Sequence, residues 1–418
     1  MKKEGKPVPD FALSDAVVRE ALGLERSERV DFTNTEVAFR DRTDKELKKM
    51  AWLFGLMNKH WLVGLGSKIG MAAVKLRLPF VETAVKNTIF EQFCGGTTLL
   101  NAQPTIDRLY QSNVLTILDY GAEGKETEGD FNLTMNETIR AIEFAARNES
   151  APMVSCKVTG LARFGLLEHI SEGRPLDAEL RAEYKNVLKR LDAICHKAAS
   201  TKDVSVLVDA EESWIQAAID HMVNLLMRRY NQERAVVYNT FQMYRHDRLS
   251  FLTQSFDLAR KHRYILGAKL VRGAYLEKER DRAAEKGYPS PINTSKEATD
   301  DLYNTAVKFC LEHYQQLAMI NATHNVRSCQ LMADLIREKN IPRNHPHLMF
   351  CQLMGMSDNL TYNLAAHGYT AAKYVVYGSV WDVVPYLIRR AAENTSVTGD
   401  MSREYGLVMQ EMRRRGLT

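Results

Sequence analysis

VSVLVDAEESWIQAAIDHMVNLLMRRY, residues 204–230, sets the architecture. It opens with a short β-branched run, passes an acidic turn at Glu211 and Glu212, and continues with apolar residues at helical spacing: Ile215, Ile219, Met222, Val223 and Leu226. A strand feeding directly into an amphipathic helix is half of a parallel crossover, because parallel neighbours need a long return segment to join them. The same alternation recurs on both sides. Strand-like runs fall at 114–120, 153–158, 235–242, 264–271, 318–323, 348–353 and 372–376, which with 204–209 makes eight. Helix-period segments lie between and after them, at 136–147, 177–200, 211–230, 247–262, 295–316, 326–338, 357–367 and 381–394. A doubly wound open sheet shows the same alternation. The count closes at eight and no Gly-rich phosphate fingerprint follows the first strand, so a (β/α)8 barrel spanning residues 111–395 is the expected fold.

Residues 1–110 read as helices without strands, and 396–418 as a C-terminal helical tail in which Arg413, Arg414 and Arg415 suit the negative end of the helix dipole. Between Leu47 and Val81 there is no Asp or Glu, yet Lys48, Lys49, Lys59, Lys68, Lys75 and Arg77 alternate with Trp52, Phe54, Leu56, Trp61 and Leu62. Such a segment either lies on an anionic membrane surface or packs its apolar face on the barrel.

Bulk charge is balanced: 56 Lys plus Arg against 52 Asp plus Glu give a net charge of +4, which argues against a nucleic-acid partner held by charge alone. The six cysteines form no CxxC pairs, which favours a reducing compartment. The opening MKKEGKPVPDF has neither the apolar core of a secretory signal nor the Arg/Ser-rich character of a mitochondrial presequence. The expectation is a cytoplasmic protein, peripheral on the inner face of a bacterial inner membrane, with the mitochondrial matrix side as the alternative. Metal hydrolysis, serine hydrolysis and Walker-type phosphoryl transfer lack their motifs, HExxH, GxSxG and the P-loop.

Barrel chemistry sits at the C-terminal ends of the strands. Those ends carry Asp119 and Glu123, Lys157, Asp209, Gln242 and Tyr244, Lys269 and Arg272, Thr323, His324 and Asn325, Gln352, and Tyr374. The last helix adds YLIRRAAEN, residues 386–394, in which Arg389 and Arg390 project about 100° apart and approach one anion from two sides. Glu393 lies four residues beyond Arg389, at ion-pairing distance on a helix. The apolar flank of Val383, Val384, Leu387 and Ile388 places the two guanidiniums at a buried boundary, where they favour a carboxylate or phosphate. In KLVRGAYLEKER, residues 269–280, Gly273 admits close approach to the backbone, and Lys269 and Arg272 can neutralise a pyrophosphate.

Taken together, ILDYGAEGK (117–125), SCKVTGL (155–161), LVDAEES (207–213), KLVRGAYLEKER, ATHN (322–325), FCQLMGMSD (350–358) and KYVVYGSVWDVVPYLIRRAAEN (373–394) resemble the proline dehydrogenase family, most closely its stand-alone, mitochondrial-type branch. The resemblance is densest from residue 264 onward and weak in the first hundred. It implies FAD-dependent oxidation of L-proline to 1-pyrroline-5-carboxylate, with electrons passed to a membrane quinone. It further implies that Arg389, Arg390 and Lys157 grip the proline carboxylate, that Tyr374, Tyr386 and Leu353 pack on the ring, that Asp209 stands beside Lys157, and that Glu123 pairs with Arg389 as a gate. The implied FAD contacts are Gln242, Lys269, Val271, Arg272, Gly273 and His324. Lys269 departs from the arginine of the bifunctional bacterial enzymes. The tyrosine at 374 replaces the smaller residue of hydroxyproline-specific members and so implies unsubstituted proline. A hydroxyproline dehydrogenase of the same fold and a flavin-bearing regulatory protein without turnover are the two rival readings.

Overall fold

The computed structural model describes residues 29–58, 81–121, 124–201, 203–396 and 400–418. Glu123 and residues 59–80 of the basic segment lie outside the described residues, and Glu393 outside the described side chains. A short strand, β1 (Cys94–Gly96), precedes the eight that form the barrel. These are β2 (Val114–Tyr120), β3 (Met153–Cys156), β4 (Ser205–Val208), β5 (Val237–Gln242), β6 (Leu266–Val271), β7 (Leu317–Ala322), β8 (Leu348–Leu353) and β9 (Ala371–Tyr377). Each pairs with the next in parallel, and β9 returns to β2 along its whole length, from Val114 opposite Ala371 to Tyr120 opposite Tyr377. The fold is therefore the closed (β/α)8 barrel expected, with every expected strand found to within two residues at each end.

Burial on both faces explains why those strands were legible. One core lies outside the barrel, where Val154, Val206, Val208, Val237, Leu266 and Leu270 meet the surrounding helices. The other fills the interior with Ile117, Leu207, Tyr238, Ile320, Met349 and Tyr374. The helices used below are α1 (Asp44–Met57), α2 (Glu128–Ala145), α3 (Ser213–Tyr230), α4 (Leu276–Lys286), α5 (Lys296–Glu312), α6 (Val326–Glu338), α7 (Asp358–Ala366), α8 (Val380–Ser396) and α9 (Asp400–Arg414). Their starts follow capping chemistry. The side chains of Thr43, Thr127, Ser295 and Asn325 each accept a backbone N–H at the head of α1, α2, α5 and α6. The Thr127 cap starts α2 eight residues before the expected Asn136, across Gly129.

The structure corrects the helical reading of the first 110 residues at one point. β1 lies beside the end of β9, Cys94 opposite Val376 and Gly96 opposite Tyr377, so this region contributes a strand to the barrel sheet. α1 buries Leu47, Met50, Leu53, Phe54 and Met57 in the cluster that holds Val408 and Met412 of α9 and Val383, Val384 and Leu387 of α8. The described part of the basic segment is thus packed, with Lys49 paired to Glu91 and Trp52 left 55% exposed. Arg415, at the end of α9, bonds Glu411 at 2.7 Å and reaches back to the carbonyls of Phe39 and Arg42 at 2.8 and 2.7 Å. Arg415 thus ties the end of α9 to the segment that leads into α1.

One loop depends on glycine. Gly355, after β8, has φ +79°, and a Cβ there would lie 2.2 Å from the Gln92 carbonyl oxygen. The left-handed conformation and the backbone collision add, so Gly355→Ala is expected to lower unfolding free energy by about 1–3 kcal/mol, read by denaturant titration. Unchanged stability would mean that the loop shifts freely.

Candidate active site

The strand tops assemble a buried charge cluster. Lys157 leaves the end of β3, and its Nζ lies 3.0 Å from Asp209 Oδ2 and 3.4 Å from Asp119 Oδ2. Asp209, just past β4, also accepts from Lys269 of β6 and from Ser155 Oγ at 3.0 Å, and its Oδ2 lies 2.8 Å from the Tyr374 hydroxyl of β9. The Lys269 ammonium stands 5.1 Å from the centre of the Tyr374 ring. Two carboxylates thus share two ammoniums and a phenol, which answers the cost of burying charge.

The carboxylates are not equivalent. Burial alone would raise Asp209, but Lys269 and Lys157 outweigh it and hold the carboxyl well below its ordinary range. Asp119 lies deeper. Burial, opposed by Lys157 and reinforced by the negative charge of Asp209, pushes it up to about 6. Burial, followed by Asp119 and Asp209, drives the Tyr374 hydroxyl far upward, so it is a neutral donor.

A cavity of about 670 Å³ opens above this cluster and runs to the first turns of α5 and α6, a volume suited to an extended ligand. Its wall includes Lys157, Asp209, Leu353, Tyr374, Tyr386, Arg389 and Arg390, and also Gln242, Lys269, Val271, Arg272, Gly273 and His324. Every residue that the family resemblance implicates, apart from Glu123, therefore lines one cavity. Arg390 is 9% exposed, its Cζ 5.4 Å from the Tyr386 ring centre, while the Arg389 Cζ is 6.0 Å from the ring of Tyr275.

Supporting contacts fix the other candidates. Gln242 Nε2 donates to the Glu211 carbonyl at 2.7 Å. Arg272 is held by Asp300 at 2.7 Å and by Ser328 Oγ at 3.0 Å, and its Cζ sits 4.4 Å above the Tyr303 ring. Gly273 has φ +138°, and a Cβ there would strike the Tyr244 ring at 2.5 Å, so no side chain fits. Burial, then the cations Lys373, Arg390, Arg403 and Arg272, push His324 well below the usual imidazole range, so it is neutral.

Two strand-end residues fall off the wall. Asp119 sits behind Lys157, and Tyr244 is buried under Gly273. Conversely, the wall includes Thr240, Tyr275, Lys296, Arg327 and Arg403, none of which the strand-end rule nominated. Lys296, directly after the Ser295 cap, and Arg327, two residues after the Asn325 cap, carried a weak signal; Arg403 carried none. Among the described residues no cluster of His, Cys, Asp and Glu could hold a metal ion, and no helix is long and apolar enough to cross a membrane.

A parallel barrel with a cation-rich cavity at its C-terminal mouth is the class that fold and site define. Within it, the chain belongs to the proline dehydrogenase family, whose sequence profile matches residues 102–403. It is 32% identical to proline dehydrogenase 1, mitochondrial, of Dictyostelium discoideum over 79% of this chain and 65% of that one. It is also 32% identical to hydroxyproline dehydrogenase of Xenopus laevis over 80% of this chain and 79% of that one. The chain spans 37% of the length of the Drosophila melanogaster proline dehydrogenase 1 that it matches. Among solved structures, proline utilization A from Bdellovibrio bacteriovorus has the same fold, with a TM-score of 0.68 at 20% identity over 92% of this chain and 41% of that one.

Proposed function

We propose that the protein is an FAD-dependent proline dehydrogenase that oxidises L-proline to 1-pyrroline-5-carboxylate and passes the electrons to a membrane quinone. The observation that carries this reading is the convergence on one cavity wall of Arg389, Arg390 and Lys157 with the rings of Tyr374 and Tyr386. Cations for an acid group and aromatic surface for a small ring stand together there. The names of the relatives support the substrate, and those called mitochondrial support the matrix-side alternative to the inner face of a bacterial inner membrane.

The cavity residues fit FAD. Lys296, Arg327 and the N-terminus of α6 offer positive charge to a pyrophosphate, and Gln242, Lys269, Val271, Arg272, Gly273 and His324 line the wall toward the barrel axis. Held there, FAD would supply a two-electron acceptor for oxidation of the ring carbon beside the amine. The protein's part is position. Two fixed guanidiniums and an ammonium clamp the carboxylate, and Tyr374, Tyr386 and Leu353 bound the ring. The substrate nitrogen must also lose a proton. Asp209 is committed to Lys157 and Lys269, so the proton passes to water.

Tyr374 favours unsubstituted proline over the hydroxyproline reading suggested by the Xenopus relative. Its hydroxyl, 2.8 Å from Asp209 and 3.1 Å from Ser155, fixes the ring in the wall, and on this reading the ring takes up the room that a 4-hydroxyl would need. The purified protein should be yellow and lose its visible absorbance on anaerobic addition of proline, with a higher kcat/KM for proline than for trans-4-hydroxy-L-proline. A flavoprotein that does not bleach would be the non-catalytic alternative, and a preference for the hydroxylated substrate would overturn the role of Tyr374.

Asp119 adds a pH dependence. Below about pH 6 it is protonated and no longer draws on the Lys157 ammonium as an anion, so the ammonium answers a ligand carboxylate more fully. A proline-like carboxylic acid should bind more tightly at pH 5.5 than at pH 7.5, by about two- to tenfold. The dependence should vanish in Asp119→Asn, by calorimetry; a slope that persists in the variant belongs to another group.

A further inference from the structure

The cavity wall at His324 is tied to the C-terminal helix by a chain of short contacts. His324 Nδ1 lies 3.0 Å from Ser357 Oγ, and Ser357 Oγ lies 3.2 Å from Glu404 Oε1. Arg403 Nη2 is 3.3 Å from both the serine hydroxyl and that carboxylate oxygen. Ser357 is fully buried, Glu404 is 3% exposed, and Ser357 adopts φ +51°, a left-handed conformation that a non-glycine residue keeps only when its surroundings enforce it. Glu404 lies one residue beyond the span matched by the family profile, and α9 is held in place by α1 through Val408, Met412 and Arg415.

Counting hydrogens fixes the direction of the chain. A hydroxyl has one hydrogen and two lone pairs. Arg403 can only donate, so it takes one lone pair of Ser357. Ser357 Oγ gives its one hydrogen to Glu404 Oε1, and the Arg403 cation beside that oxygen favours the carboxylate that accepts it. Burial raises the Glu404 carboxyl, with Arg403 opposing, Asp358 reinforcing and Lys373 opposing. The remaining lone pair of Ser357 then faces His324 Nδ1, which must carry the ring hydrogen. Nδ1 is turned toward Ser357, so Nε2 is the nitrogen left for the cavity; it has no hydrogen-bond partner among the described residues.

We propose that Glu404 and Ser357 are positioning residues for the cofactor. They hold His324 as its Nδ1–H tautomer and so present Nε2 as a hydrogen-bond acceptor to an N–H or O–H group of bound flavin, while Arg403 adds a cation to the same wall. This deepens the flavin reading of the cavity and rests on it. It also gives α1 and α9 a part in the site: they deliver the acceptor that sets a tautomer inside the barrel mouth.

The test is the tautomer itself, read by long-range ¹H–¹⁵N correlation on the ¹⁵N-histidine-labelled holoprotein, with the His324 signals assigned by their loss in His324→Gln. The wild type should show a protonated Nδ1 and a bare Nε2. Glu404→Met removes the acceptor, so the serine hydrogen turns to Nδ1. The tautomer should switch and FAD should bind about tenfold more weakly, the worth of one hydrogen bond. Glu404→Gln keeps an acceptor oxygen and should keep the wild-type tautomer. A wild-type Nε2–H tautomer overturns the proposal, and so does an unchanged tautomer in Glu404→Met or a switched tautomer with unchanged FAD affinity. If Glu404→Met fails to fold, the wild-type spectrum and Ser357→Ala, which should release the tautomer preference, decide the matter. A protein that never bleaches with proline would sink the functional reading and leave this measurement standing. A bleaching flavoprotein with Nε2–H at His324 would sink this inference alone.

Discussion

Arg390→Ala is expected to raise KM for proline by about thirtyfold to several thousandfold, the equivalent of about 2–5 kcal/mol for truncating one partner of a desolvated charge contact. Arg390 is nearly buried, with its guanidinium beside the Tyr386 ring on the cavity wall, so water cannot replace it at full strength. Arg389, one residue earlier, is half-buried on the same wall, and Arg389→Ala should show the same sign with a smaller size. Arg390→Lys separates charge from shape: it keeps the positive charge but loses the planar fork, so its KM should fall between wild type and alanine. In the proposed reaction the clamp grips a group away from the bond that breaks, so saturating proline should recover more of the rate than the KM change would suggest. Steady-state kinetics on the three variants check this. Wild-type KM in both alanine variants would remove the carboxylate clamp from α8.

The barrel was legible because its strands are buried twice. Runs such as residues 204–209 need apolar residues facing the interior and apolar residues facing the helices, which leaves a dense β-branched signature. The polar strand ends were legible for the complementary reason: Lys157, Asp209, Lys269 and Tyr374 interrupt that signature where the interior becomes a site. β1 was not legible. Cys-Gly-Gly has no alternation to read, and its strand character comes from the ladder to Val376 and Tyr377. α4 was missed for the opposite reason. It buries only Glu279 and Ala283, so its sequence carries almost no apolar stripe.

The site was less legible where it depends on elements distant in the chain. That the last helix would cover the barrel mouth was implied by the arginine pair and its apolar flank. That the tail beyond it would return Arg403 to the cavity was not, because the contact is made by packing of α9 on α1, and no local pattern encodes it. The tail arginines show the same limit. The dipole argument placed Arg414 and Arg415 correctly at a helix end, within ion-pairing spacing of Glu411, yet the other partners of Arg415, Asp44 and the Phe39 carbonyl, follow only from the fold. The unequal carboxylates of the central cluster were also hidden, since strand-end spacing says which residues meet but not how deep each one lies.

Depth has a consequence that can be measured. Asp209→Ala is expected to lower unfolding free energy by about 3–5 kcal/mol at pH 7, because it leaves the Lys157 and Lys269 ammoniums without their shared carboxylate and takes an acceptor from Ser155 and Tyr374. Lys269, only 5% exposed, suffers most. Replacing the whole pair with apolar residues, as in Asp209→Leu with Lys269→Met, should recover part of the loss, since it removes a stranded charge along with its partner. The pH profile separates the two carboxylates. The Asp209 carboxyl is depressed in the fold, so its contribution is present above the unfolded carboxylate range near about pH 4 and fades as pH falls through its lower folded value. The Asp119 carboxyl is raised, so its contribution is present below about pH 4 and is lost as pH rises through about 6. The stability gap between wild type and Asp209→Ala should therefore be widest near neutrality and narrow in acid. Asp119→Asn should instead gain relative to wild type as pH climbs past 6. Denaturant midpoints for the three proteins at pH 3, 5.5 and 7.5 give the comparison. A constant gap across that range would mean that the ammoniums find other partners and that Asp209 is not the hub of the cluster.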